Sequence, residues 1–199
     1  MHSGLAPASS TAVYRLDFVG NVPNIAGRET PLSLPKFMNA AAKVAPVLPG
    51  ETNPLDSLFG GELLARMDRA CGIAAHRHAR SIVVTASVNH VAFGKPVPMG
   101  SILTIEAKVS RAFSSSMEVF ADVWMECKET GKREKVNEGI FTFVAVDNDG
   151  NPVKIAPIEP ETDLEKERYA AALRRRQLSL VLSKRMEPKD ATELKKLFE

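Results

Sequence analysis

The period of the hydrophobic pattern changes once along this chain, and the change separates its two main kinds of element. Across residues 60–80 (GGELLARMDRACGIAAHRHAR) Leu64, Cys71 and Ala75 recur at helical spacing and predict one long helix with a buried stripe. From Ile82 onward the period falls to two, and residues 82–93, 101–111, 115–127 and 136–147 read as consecutive antiparallel strands. Turn residues separate them: Gly94 to Gly100 with two prolines, then a polar segment around Gly131. In the third strand Met117, Val119, Ala121, Val123 and Met125 share one face, with Glu118, Asp122 and Glu126 on the other. That alternation predicts one face on the core and one in water.

The flanks read differently. Residues 1–47 carry Pro7, Pro23, Pro31, Pro35 and Pro46 among short apolar pieces, an extended arm that lends an edge strand and forms a short helix over 37–44. A turn-rich segment from Pro49 to Pro54 leads into the long helix, and Asn148 to Pro152 closes the last strand. Residues 159–199 form a helical extension. Thr162 and Glu165 make a capping box for a helix running toward Arg185, and Asp190 and Glu193 make a second for a short terminal helix. A helix followed by strands without βαβ alternation is an α+β arrangement, with the sheet against the helix. A helix as apolar as residues 63–75 needs cover on most sides, from a wrapping sheet or a second subunit.

Composition narrows the function classes. The 199 residues suit one core plus tails, and a formal charge of +2 offers no electrostatic case for nucleic acid or an anionic membrane surface. No apolar run nears the roughly 18 residues of a spanning helix, and the Ser/Ala-rich start lacks a secretory core, so cytoplasm is the expected location. Cys71 and Cys127 form no CxxC pair, which argues against a disulfide framework.

The candidate chemistry begins with Asp68, which falls on the apolar stripe of the long helix. A carboxylate is rarely buried without a partner, so Asp68 is either a structural acid tied to a donor or a catalytic acid or base. Cys71 and His78 share its stripe, but the helix rise between them is roughly 10 Å, too far for a thiolate-generating hydrogen bond. His76, His78 and His90 lack metal-ligand spacing, and no metal site is expected. Gly60 and Gly61 open the helix with uncovered N–H groups, either an oxyanion hole or a close-packing device. Asn53, before Pro54, is either a turn-forming amide or a group that orients water or a carbonyl. There is no GxSxG elbow, Walker loop, GxGxxG or HExxH, and Ser114, Ser115 and Ser116 have no neighbouring base.

Taken together, the run from Glu51 through Asn53, Phe59, Gly60 and Gly61 to Met67 and Asp68, continued by Ala70 to His78, resembles the signature of the hotdog-fold acyl-CoA thioesterases. Segments beginning at Ile82, Ser115, Phe141 and Glu167 resemble that family in the same order, so the likeness spans about residues 48–180. It implies a hotdog domain over residues 48–158, with an antiparallel sheet wrapped around the long helix. It also implies a homodimer whose seam takes Asn53 from one subunit and Asp68 from the other, commonly assembled into a homohexamer. Two positions depart from the family: Asp56 and Phe113 stand where glycine is usual.

The activity so implied is hydrolysis of fatty acyl-CoA to fatty acid and coenzyme A, with no cofactor. Asp68 would act as general base or nucleophile, Asn53 would position water or carbonyl, and the Gly60 and Gly61 N–H groups would receive the oxyanion. Desolvation at the seam would raise the basicity of Asp68. Arg111, Ser115, Ser116, Arg174, Arg175 and Arg176 are candidates for the nucleotide end, the arginine run being equally readable as a solvated helix face. A hotdog hydratase would want a histidine in the motif before Gly72, which has none. A non-catalytic acyl-CoA or nucleotide-binding protein using the same groove is the alternative from another class.

Overall fold

The computed structural model describes residues 39–198. A strand β1 (Ala40–Pro46) leads through a 3-10 turn at Pro49–Glu51 into helix α1 (Gly60–Ala79), then β2 (Ile82–Phe93), β3 (Ile102–Ala112), β4 (Ser116–Glu126) and β5 (Arg133–Val146). Helix α2 (Asp163–Leu182) and a short α3 (Thr192–Lys195) follow. The five strands form one antiparallel sheet in the order β1-β3-β4-β5-β2. The edge strand expected from the arm is β1, paired along β3. The helix expected over 37–44 is corrected where it can be seen: Ala40 to Val44 are strand, and residues 37 and 38 lie outside the described part. Ala-rich sequence permits a helix there, but a ladder partner on β3 is available and decides the matter.

Consecutive strands are neighbours from β3 to β5, while β2 crosses to the far edge and pairs with β5. Its register slips twice, between Thr85 and Ser87 and between Val88 and His90. Such bulges twist a strand and re-aim its side chains.

Helix α1 packs Leu63, Met67, Ala70, Cys71, Ala74 and Ala75 onto Leu103, Ile105, Met117, Val119, Val123 and Phe141 of the sheet. The buried stripe is thus rotated from the one expected: Leu64 and Asp68 stand half-buried on its flank. Small residues account for the rotation. Ala70 and Ala74 let the helix approach closely, and Gly139 of β5 lies so near that an added Cβ would fall 2.5 Å from the Met67 methyl.

The outer face of β4, expected to be wet, is covered. Helix α2 lies across it, with Arg175 making two hydrogen bonds to Glu118 and Arg168 paired with Asp122 while its guanidinium lies 3.7 Å from the Phe120 ring centre. Alternating acids therefore mark ion-pairing positions under a helix rather than solvent. At the start of α2 Thr162 Oγ accepts from the Glu165 N–H, as the capping box requires. The second box does not form: Asp190 ends a 3-10 turn, and Gln177 of α2 accepts the Leu194 N–H instead.

Candidate active site

Asp68 sits on the flank of α1 that faces β2, where its Oδ1 accepts a hydrogen bond from Thr85 Oγ1 at 2.8 Å. Thr85 pairs with Phe143 in the ladder and shares its inner face, immediately before the first bulge of β2. Of the two readings open for Asp68, the donor exists, but the pair is not enclosed. Thr85, Val84 and Val88 are exposed, and among the described residues no strand pairs with the outer edge of β2. Thr85 was not singled out from the sequence, because only the α1–β2 packing reveals which strand residue meets the helix acid.

Cys71 stands deeper in the core, where burial first and the Asp68 charge second push its thiol well above the usual range. It is a core thiol, not a nucleophile. His78 is also buried, with Nε2 2.8 Å from the Ala156 carbonyl, and desolvation holds its pKa below the ordinary value.

Gly60 and Gly61 form the start of α1, and no side chain caps that end. The Leu63 N–H bonds back to the Phe59 carbonyl, leaving the preceding glycine N–H groups among the unsatisfied donors of the first turn. An added Cβ at Gly60 would touch the Phe93 ring and one at Gly61 the Phe59 ring, so both glycines are flanked by aromatic rings. Both rings, with Leu55, are exposed.

Asn53 lies in the loop before α1. Its Oδ1 accepts from the Leu55 and Ser57 N–H groups, and its own backbone pairs with Ser57 and Asp56. The amide oxygen thereby shapes the turn and fixes the direction of the carboxamide nitrogen. Asp56 occupies a left-handed conformation, φ 53°, in that turn. Glycine suits this position, and aspartate is among the few other residues that tolerate it.

The remaining candidates gather on the opposite face of the sheet. A cavity of about 410 Å³ opens between α2 and the outer face of β2, β4 and β5, lined in part by Ser115, Ser116, Arg175, Arg176, Phe113 and Asn89. Arg176 donates to Ser116 Oγ at 2.8 Å and lies over the Phe113 ring. Burial first, then nearby Arg185, disfavours its charge. Arg175 lines the same cavity but is committed to Glu118. Arg111 stacks on Tyr169, 3.9 Å from the ring centre, and donates to the Tyr169 carbonyl, while Arg174 lies toward Glu193. Neither of these two lines the cavity. The structure therefore brings Ser115, Ser116, Arg175 and Arg176 together and leaves Arg111 and Arg174 apart.

The sequence profile of the Thioesterase superfamily matches residues 55–131. A Bacillus subtilis protein named an uncharacterized acyl-CoA thioester hydrolase is 39% identical over 133 residues, 67% of this chain and 77% of that protein. The acyl-CoA hydrolase from Staphylococcus aureus, solved with butyryl coenzyme A, coenzyme A and coenzyme A disulfide, is 36% identical with a TM-score of 0.68, covering 79% of this chain and 94% of its own. Further structures of that enzyme carry alanine in place of one asparagine, one aspartate or one threonine. The hexameric thioesterase y2039 from Yersinia pestis is 34% identical with a TM-score of 0.54, covering 57% of this chain and 92% of its own. With its five-stranded antiparallel sheet around a long helix and these likenesses, the chain belongs to the hotdog-fold acyl-CoA thioester hydrolases of the thioesterase superfamily.

Proposed function

We propose that this protein hydrolyses acyl-CoA thioesters at a seam between two copies of the chain, with Asp68 as the base or nucleophile held by Thr85. The observation that carries the site is the Asp68–Thr85 hydrogen bond beside an unpartnered strand edge. A threonine hydroxyl that donates to one carboxylate oxygen orients the acid and leaves the second oxygen free to act. In the S. aureus enzyme the three residues replaced by alanine are an asparagine, an aspartate and a threonine, spaced along the chain as Asn53, Asp68 and Thr85 are here. That match in residue type and interval supports the same trio in this protein.

One helix cannot complete the site. Gly61 and Asp68 are separated along α1 by roughly 10 Å of rise, too far to reach the same carbonyl group. A two-fold mate docked on the free edge of β2 sets its α1 antiparallel to the first, bringing Gly60, Gly61 and Asn53 of the partner subunit to Asp68. Related acyl-CoA thioesterases are hexameric, which makes a trimer of such dimers the expected assembly.

In the general-base route Asp68 takes a proton from water as the water oxygen attacks the thioester carbon. The tetrahedral oxyanion is received by the glycine N–H groups, each worth about 3 kcal/mol. Collapse breaks the C–S bond, and the thiolate of coenzyme A takes the proton back. In the nucleophilic route Asp68 attacks directly and water hydrolyses the resulting anhydride. The nucleotide end fits the cavity at Arg176, Ser115 and Ser116, where a partly desolvated guanidinium calls for an anion. No step requires a metal or redox cofactor.

The test is thiol release from a series of acyl-CoAs. Asp68→Ala and Asn53→Ala are each expected to lower kcat by about 10²–10⁴-fold, and Thr85→Ala by less. Wild-type protein that binds acyl-CoA without releasing thiol would refute the enzymatic reading and leave a binding protein. Co-expressing the Asp68→Ala and Asn53→Ala chains should restore activity, since each mixed dimer regains one intact seam.

A further inference from the structure

An ion pair between a buried arginine, Arg66, and the half-buried Glu51, on the far side of α1 from Asp68, has no role in the scheme above. Arg66 is 5% exposed, and its Nη2 donates both to the Pro46 carbonyl at 3.0 Å and to Glu51 Oε2 at 2.5 Å. Its Nη1 is buried and has no hydrogen-bond partner among the described residues. As a stabilising device this is poor: a buried guanidinium with an unsatisfied N–H often costs as much as its partner returns, and an apolar residue of similar volume serves stability as well or better. What the pair does supply is direction.

Glu51 is the hub of the loop that carries the candidate amide. Its carboxylate also accepts the Leu48 N–H, and its carbonyl accepts the N–H of Phe59, the residue that caps α1. Asn53 follows two residues later, and Gly60 and Gly61 follow Phe59. A single guanidinium projecting from α1 thus fixes where both the amide and the glycine N–H groups stand relative to the helix. Arg66 and Asp68 lie on opposite sides of α1, the first facing its own loop and the second facing the seam.

We propose that Arg66, acting through Glu51, is a positioning residue for Asn53 and the glycine donors, and that it serves the seam whose Asp68 belongs to the other subunit. This rests on the shared-seam reading above. A misplacement of about 1 Å at reacting groups costs up to about 10²-fold in rate, so a loop released from α1 loses turnover without losing the fold.

Three measurements on the full chain test it. Replacing both partners by apolar residues of similar length, Arg66→Met with Glu51→Met, should leave Tm close to wild type while kcat falls by about 10–100-fold and KM moves by less than about threefold. In an Asn53→Ala background, Arg66→Met should cost clearly less kcat than it does in wild type, because one of the two groups it positions is already gone. In co-expressed mixtures Arg66→Met should be rescued by Asp68→Ala but not by Asn53→Ala, since its defect lies in the same half of the seam as Asn53. A kcat loss that tracks Tm, or one that adds fully to that of Asn53→Ala, overturns the positioning role. If Asp68→Ala and Asn53→Ala fail to rescue each other, the shared seam itself is wrong and the assignment across subunits falls with it, while the double-mutant result still decides whether Arg66 acts through Asn53.

Discussion

Asp68 has one oxygen held by Thr85 and stands where α1 meets β2, an edge strand of the sheet among the described residues, so its own chain fixes half of its local chemistry and the proposed seam would fix the rest. Other single residues carry consequences of their own. Asp56 holds a left-handed conformation that glycine adopts without steric cost, so Asp56→Gly should raise stability by up to about 1 kcal/mol, read as a higher Tm. His78 gives a pH dependence. Desolvation depresses its folded-state pKa, so the unfolded chain binds its proton more readily. Its contribution is therefore complete above the unfolded value near 6.5 and declines as pH falls toward the folded one. Urea melts across that range should show the decline, and His78→Gln should flatten it. At this scale the sequence made Asp68, Asn53 and the glycine pair visible by residue type and spacing. Thr85 was not visible, because a threonine on a strand carries no mark of the acid it will meet.

At the scale of elements, α2 owes its place to ion pairs with the outer face of β4. Glu118 is only 3% exposed and takes two hydrogen bonds from Arg175 and one from Ser110. Arg175→Ala should therefore destabilise the protein by about 2–4 kcal/mol by leaving that carboxylate with the serine alone. Denaturant unfolding measures this, and a change confined to KM for acyl-CoA would instead make Arg175 a ligand contact. Period-two alternation correctly located β4 and its inner face. It could not show that the outer acids were covered, since a carboxylate facing water and one facing an arginine on a distant helix read alike. The helix stripe erred for a related reason. Ala, Cys and Gly positions count weakly as hydrophobic in a pattern but govern how closely helix and sheet approach.

For the whole molecule the decisive feature is the edge of β2, which no strand covers among the described residues. It carries exposed Ile82, Val84, Val88 and Phe93, an apolar edge of the kind natural sheets leave open only to be paired. Val88→Lys should prevent that pairing, yielding a monomer by sedimentation and a loss of thiol release that excess substrate does not recover. Retention of full activity by a monomer would remove the shared seam. In the proposed assembly the scales are linked: the strand edge would close the dimer, and the dimer would bring the two halves of the site together.

The sequence alone determined the main helices and strands from residue 60 onward, the antiparallel character of the sheet and the family, and it put Asp68, Asn53, Gly60 and Gly61 forward as candidates for acyl-transfer chemistry. These follow from local periodicity, turn chemistry and an ordered motif, all written in neighbouring positions. Tertiary structure decided that β2 lies at an edge, that Thr85 holds Asp68, that α2 covers β4, and that Arg66 grips the loop bearing Asn53. Those facts depend on which distant surfaces come within hydrogen-bond reach. Strand order and helix rotation set that reach, and no spacing along the chain records either.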